Sequence, residues 1–451
     1  MATTFIINAN IVNEGEIFIG DILIEDGYIS KIIRKTTGFQ KPSEYFADIV
    51  IDATDKFLIP GVIDCHVHFR EPGLTYKADI FSESRAAVAG GVTSFMEMPN
   101  TIPNATTLEI LEEKYKIASE KSIANYSFFI GGNNSNVNEL LGVSKKNVCG
   151  IKLFLGASTG NMLTNQLEVL EQIFSNASVP IAAHCEDEEI INNNIAKFKE
   201  KYGENAPYQF HSEIRSEEAC YKSTKFAIEL AKKHNTRLHI THVSTTKELE
   251  LLKNSLPLTN KNITAEVCPH YLWFDDSDYA DEKEFIKCNP SIKSANDKTA
   301  LLEGLLNNTI DIITTDHAPH TIEEKQQTYF NCPSGIASIE HSLLIMLELY
   351  KLNKITLEKV IDKMCHSPAI CYNIEKRGFI KVGYWADIVL LDMQSNWKAE
   401  KSNIVSKCGW SPYQEIMFHS KITHTFVNGN LVYYQNHFKA NMKGKRLLFT
   451  R

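Results

Sequence analysis

No apolar run among these 451 residues reaches the roughly 18 that a membrane-crossing helix needs. Met1-Ala2-Thr3-Thr4 leads straight into strand-like sequence, with no basic then apolar leader, so neither a signal peptide nor a membrane partner is expected. Ten cysteines are scattered without one Cys-x-x-Cys pair. That excludes a structural zinc knuckle, argues against a disulfide framework, and points to a reducing, cytoplasmic setting. Charge of one sign is also scarce: 55 acidic against 47 basic residues leave a formal −8, without patterning. A nucleic-acid or anionic-membrane partner is therefore not indicated. Internal repeats and low-complexity linkers are absent as well.

What is present suits a large α/β enzyme. Hydrophobic residues make up 43% of the chain, enough for a sizeable core, and an α/β barrel alone takes about 250 residues. Residues 1–59 carry strand patterns broken by tight turns, as in Ile22-Leu23-Ile24-Glu25-Asp26-Gly27-Tyr28-Ile29, where Asp-Gly between apolar runs signals a hairpin. The same texture returns over 375–451, with Asn428-Gly429 as another hairpin signal. The two ends are expected to pair into one small β-sandwich. Between them, over 60–374, apolar strands near 62–68, 92–98, 124–130, 150–156, 179–185, 237–243, 262–268 and 310–316 alternate with amphipathic segments. Eight such strands with intervening helices predict a (β/α)8 barrel. The least regular inserts are Gly156–Thr164 and Thr328–Ser338, each following a strand end.

The chemistry-bearing stretch is Asp64-Cys65-His66-Val67-His68-Phe69-Arg70-Glu71-Pro72-Gly73. On a strand, residues two apart share a face, so His66 and His68 point the same way. Two converging imidazoles are half of a metal site; an isolated His-x-His is as often a pair of packed core histidines. Arg70 continues the parity and could grip a substrate carboxylate through two hydrogen bonds. Cys65 and Cys185, on the opposite parity, are expected as core fillers.

Barrel enzymes carry their chemistry at the C-terminal strand ends. Taken in order, those ends offer His66 and His68, then Asn100, Lys152, His184, His242 and His270, and Asp316 in Thr315-Asp316-His317-Ala318-Pro319-His320. Any one of these alone suits packing; their gathering at one mouth suits a site. His211, His234, His239, His341 and His366 have no motif around them and are left as ordinary.

These two motifs, the second followed by Lys325, resemble the amidohydrolase superfamily and within it the dihydroorotases, over essentially the whole chain. The resemblance implies that His66, His68 and Asp316 bind one zinc and that His184 and His242 bind a second. A carboxylated lysine would bridge them, and Lys152, between Ile151 and Leu153, fits that place. Burial and nearby positive charge favour the neutral amine that adds carbon dioxide. Arg70, Asn100, Asn289 and His320 match the positions that hold the carboxylate and ring of a small-molecule substrate. Ser291 and Lys293 stand where the family often has proline and arginine. Backbone around Ser334, Gly335 and Ile336 would meet the ring amides, and His270 would orient the site.

The implied activity is reversible, metal-assisted closure of N-carbamoyl-L-aspartate to L-dihydroorotate in pyrimidine synthesis, with Asp316 as both ligand and proton shuttle. Related allantoinases share the first motif but usually read Asp-His-Ser-Pro-Cys at the second. An allantoinase or dihydropyrimidinase is the nearer alternative. A non-catalytic scaffold partner of aspartate carbamoyltransferase is the alternative from another class, and such chains tend to lose ligands that are kept here. Association as a homodimer is left open.

Overall fold

The computed structural model describes residues 3–35, 47–156, 162–253, 255–439 and 442–451; most of the insert expected at Gly156–Thr164 lies outside them. The chain starts with β1 (Thr4–Asn13), β2 (Glu16–Glu25) and β3 (Tyr28–Arg34), joined by two-residue turns. Asp26 and Gly27 take φ of 51° and 89°, the left-handed pair that a tight hairpin requires. Next, β4 (Ile49–Asp52) and β5 (Phe57–Pro60) run parallel to β1.

The barrel follows at once. Its strands are β6 (Val62–Val67), β7 (Val92–Glu97), β8 (Asn125–Phe128) with β9 (Ile130–Gly131), β10 (Ile151–Phe154), β11 (Ile181–His184), β12 (Leu238–Ile240), β13 (Ile263–Val267) and β14 (Ile312–Ile313). All pair in parallel. β6, β7, β10 and β11 are buried along their whole length, the signature of strands covered on both faces. Val67 pairs with His317 and closes the ring.

Two expected strands differ in detail. The third divides at Phe129: β8 pairs with β7, with the Phe129 N–H on the Glu97 carbonyl as the last bond of that ladder, and β9 pairs with β10. The eighth is much shorter than 310–316. Beyond Ile313, Asp64 takes over: its carboxylate accepts from the Thr315 N–H at 3.1 Å and hydroxyl at 2.6 Å, and Asp316 then adopts φ of 47°.

The C-terminal part adds β15 (Ile388–Asp392), a separate pair of β16 (Trp397–Lys398) and β17 (Met417–Phe418), then β18 (Lys421–Val427), β19 (Asn430–Tyr434) and β20 (His437–Phe438). β15 lies antiparallel to β5, with Leu390 opposite Leu58. Strands from both chain ends thus share one hydrogen-bonded sheet, and Ile6, Ile11, Ile22, Leu58, Ile388 and Leu390 form its buried core. The protein is a (β/α)8 barrel with a β-sandwich domain from its two ends.

Gly61 lies at the passage between the two. Its N–H donates to the Asp387 carbonyl, and a Cβ there would lie 2.1 Å from Thr93 Oγ1. Gly61→Ala is therefore expected to cost about 1–3 kcal/mol by overpacking, seen as a lower midpoint of thermal unfolding; an unchanged midpoint would show that Thr93 yields freely.

A candidate metal centre at the barrel mouth

The strand ends surround a cavity of about 330 Å³, whose wall includes His66, His68, Arg70, Asn100, Lys152, His184, His242, Asn289, Asp316, His320 and Gly335. Asp316 Oδ1 lies 3.2 Å from His66 Nε2 and 3.0 Å from His68 Nε2. The ligand atoms of these three residues fall within 4.8 Å of one another, a nitrogen-and-oxygen set suited to a divalent ion such as zinc. Burial works against the Asp316 charge, yet the imidazoles of His66 and His68 hold its carboxyl well below the usual range. Burial pushes His68 down to about 4, with the Asp316 carboxylate pulling the other way.

A second pair stands beside this trio. His184 Nδ1 faces His242 Nε2 at 2.9 Å, and the buried His242 Nδ1 has no hydrogen-bond partner. Lys152, only 1% exposed, donates to Thr241 Oγ1 at 3.2 Å. Burial pushes its amine down to about 8, against the pull of Glu266 and Asp316.

Carboxylates behind the wall orient these rings. Glu266, fully buried on β13, takes His66 Nδ1 at 2.5 Å, His239 Nε2 at 3.0 Å and the His242 N–H at 3.1 Å. Glu186 takes His184 Nε2 at 2.9 Å and is itself gripped by the Arg215 guanidinium. Asn100 Oδ1 accepts from His68 Nδ1 at 2.6 Å. With a second-layer acceptor on one ring nitrogen, the other nitrogen of His66 and His68 is directed at Asp316. Three wall residues take left-handed backbone: Arg70 (φ 71°), His242 (39°) and Asp316 (47°). Such conformations cost about 1–3 kcal/mol each and gather at functional sites.

The far side of the cavity is a loop held by lysines. Lys287 Nζ donates to the carbonyls of Tyr329 and Cys332, both at 2.6 Å. Lys325 Nζ donates to those of Pro333 at 3.1 Å and Gly335 at 3.0 Å. Burial pushes both amines down to about 8. Ile336, expected to meet the ring, stands behind the wall instead; its carbonyl accepts from the Ala318 N–H. His270 is also outside the wall, fully buried with neither ring nitrogen bonded. Asn289 reaches the wall, and its Oδ1 is buried without a partner.

His239, which no motif singles out, stands behind the wall on Glu266 at 3.0 Å. Sequence pattern does not single out Glu266, Glu186, Arg215, Lys77 or Lys287 either. A lone carboxylate inside the apolar run Ile263–Val267 was the available signal for Glu266, by the same reasoning that singled out Lys152. Cys65 and Cys185 are buried in apolar clusters, off the ligand face.

A larger cavity of about 470 Å³ opens at the opposite strand ends. Its cations are already engaged: Lys261 with Asp311, Arg377 with Asp387, and Arg237 with the Cys371 carbonyl and Asn373.

A two-domain barrel hydrolase with a histidine-rich mouth is what the fold and site define, and comparison with known proteins agrees. The amidohydrolase family profile matches residues 57–432. The dihydroorotase of Methanosphaera stadtmanae is 32% identical over 416 residues, covering 92% of this chain and 94% of that protein. The dihydroorotase of Pyrococcus furiosus is 32% identical over 432 residues, with 95% and 92% covered. Among solved structures, the L-hydantoinase (dihydropyrimidinase) of Arthrobacter aurescens gives a TM-score of 0.90 at 26% identity, covering 99% of this chain and 100% of that one. The dihydropyrimidinase of Brevibacillus agri, at 22% identity and a TM-score of 0.87 over the full length of both chains, bears on the fold alone. The chain belongs to the amidohydrolase family. It is a cyclic amide hydrolase.

The orienting layer makes a stability prediction. Arg215→Met would leave Glu186 buried without its guanidinium, and breaking a buried pair costs about 3–5 kcal/mol. Thermal unfolding of the variant should start well below that of the parent; equal midpoints would mean that His184 alone suffices for Glu186.

Proposed function

We propose that the chain is a zinc-dependent dihydroorotase, interconverting N-carbamoyl-L-aspartate and L-dihydroorotate for pyrimidine synthesis in the cytoplasm. The observation that carries this reading is Arg70, buried beside the histidine–aspartate cluster with no carboxylate ion-paired to it among the described residues. A guanidinium so placed suits a substrate that brings its own carboxylate.

His66, His68 and Asp316 would hold one zinc, His184 and His242 a second, and Lys152, as its carbamate, would span the two. The donor chemistry fits: imidazole nitrogens, a carboxylate held well below its usual range, an unpartnered His242 nitrogen and a lysine whose amine burial destabilises as a cation. When bound, such ions supply water activation near neutral pH and polarisation of the ring carbonyl. The protein's own part begins with Asp316, whose carboxylate accepts the proton of the attacking water and delivers it to the ring nitrogen as the amide bond breaks. Arg70, Asn100, Asn289 and His320 hold the substrate's carboxylate and ring, and the lysine-clamped backbone around Ser334 and Gly335 borders it. Run backward, the same groups close the ring with loss of water. All ten cysteines are free and buried, which suits a reducing compartment.

The likeness to the Arthrobacter hydantoinase favours a second reading, hydrolysis of an uncharged cyclic ureide. Purified protein incubated with dihydroorotate, dihydrouracil and allantoin separates the two. Ring opening of dihydroorotate alone is expected. Arg70→Met should then raise KM for dihydroorotate by roughly tenfold or more, the value of a charge-assisted bond, with a smaller change in kcat. Asp316→Asn should instead lower kcat by about 10²–10⁴-fold. Faster opening of dihydrouracil or allantoin, or an unchanged KM in Arg70→Met, would overturn the dihydroorotase reading.

A further inference from the structure

His320 lies between two cations. Lys77 Nζ is 3.0 Å from its Nδ1, and Arg70 Nη2 is 3.0 Å from its Nε2. A neutral imidazole has one N–H and one lone pair, so it accepts from one of these donors and turns an N–H toward the other. Acceptors are few: the Ser334 carbonyl lies 3.2 Å from Nε2, and Glu324 Oε2 lies 3.4 Å from Nδ1. Glu324 is committed to the Lys77 side, at 3.0 Å from Lys77 Nζ. It also accepts from the Tyr76 hydroxyl at 3.0 Å. Arg70 spends its Nε on the Pro319 carbonyl at 2.9 Å. The ring is wedged in place as well: a Cβ on Gly335 would come within 2.9 Å of His320 Cδ2.

We propose that Lys77 is a positioning residue that holds His320 in its Nε2–H tautomer, so that His320 and Arg70 form a two-donor clamp for the substrate's carboxylate. The proposal rests on the dihydroorotase reading. With Lys77 donating to Nδ1, the Nε2–H has the Ser334 carbonyl at 3.2 Å as its acceptor and lies beside the Arg70 Nη2 donor, 3.0 Å away. A substrate carboxylate oxygen at this point accepts from both in charge-assisted bonds, whereas an uncharged ring brings no charged acceptor. Lys77 thereby contributes to selecting a charged ring without touching it.

The test is a double-mutant cycle on the full-length protein, read as KM and kcat for dihydroorotate, with orotate binding followed by calorimetry. Lys77→Met should raise KM, and weaken orotate, by about tenfold while kcat changes less than about threefold. Lys77→Arg, which still offers an N–H to Nδ1, should recover most of the loss and guards against a simple folding defect. In a His320→Ala background, removing Lys77 should add less than about twofold, because no tautomer is left to set. A full tenfold effect in that background, a loss confined to kcat, or failure of Lys77→Arg to recover would overturn the assignment. A parent protein that neither opens nor binds dihydroorotate would instead overturn the functional reading, and this one with it.

Discussion

The mouth of this barrel depends on one buried carboxylate. Glu266 is fully enclosed, and its partners are the His66 and His239 imidazoles and the His242 N–H. A buried charge is tolerated only when hydrogen bonds replace its water. Glu266 therefore fixes where β6, β12 and β13 end relative to one another. It also decides which nitrogen of His66 faces the cavity. The ring cannot turn without leaving the carboxylate unpaired, and the cost of that keeps the donor atoms together before any ion arrives.

Strain is stored around that anchor. Asp316 and His242 leave their strands in left-handed backbone, held by Asp64 on Thr315 and by Glu266 on the His242 N–H. Burial pushes the Asp64 carboxyl up to about 7, so the group that shapes the Asp316 bend is itself costly to ionise there. On the opposite rim, Lys287 and Lys325 donate only to carbonyls. The two rims thus use opposite devices, carboxylates gripping N–H groups and ammoniums gripping carbonyls, and the cavity lies between them.

Much of this was legible in the sequence because it is periodic or local. Apolar runs marked the eight barrel strands, Asp26-Gly27 and Asn428-Gly429 marked hairpins, and His66-Val67-His68 announced a shared face. Strand ends and second-layer partners were less legible. Asp64 ends the eighth strand by binding Thr315, 251 residues away, and the third divides at Phe129 between β7 and β10; neither leaves a local pattern. Arg215 reaches Glu186 from a helix turn with no motif. Glu266 is legible in principle, as a charge inside a strand whose last three residues are buried. In the loop expected to meet the substrate, Ser334 and Gly335 reach the cavity wall, and the Ile336 carbonyl accepts from the Ala318 N–H.

In the proposed function His66, His68, Lys152, His184, His242 and Asp316 act as one binuclear site. Metal content of protein purified without chelator tests it most directly, compared with Lys152→Ala prepared alongside. Close to two zinc per chain are expected in the parent, with loss of one or both in the variant. Near-zero metal in a parent that opens its ring at full rate would contradict it.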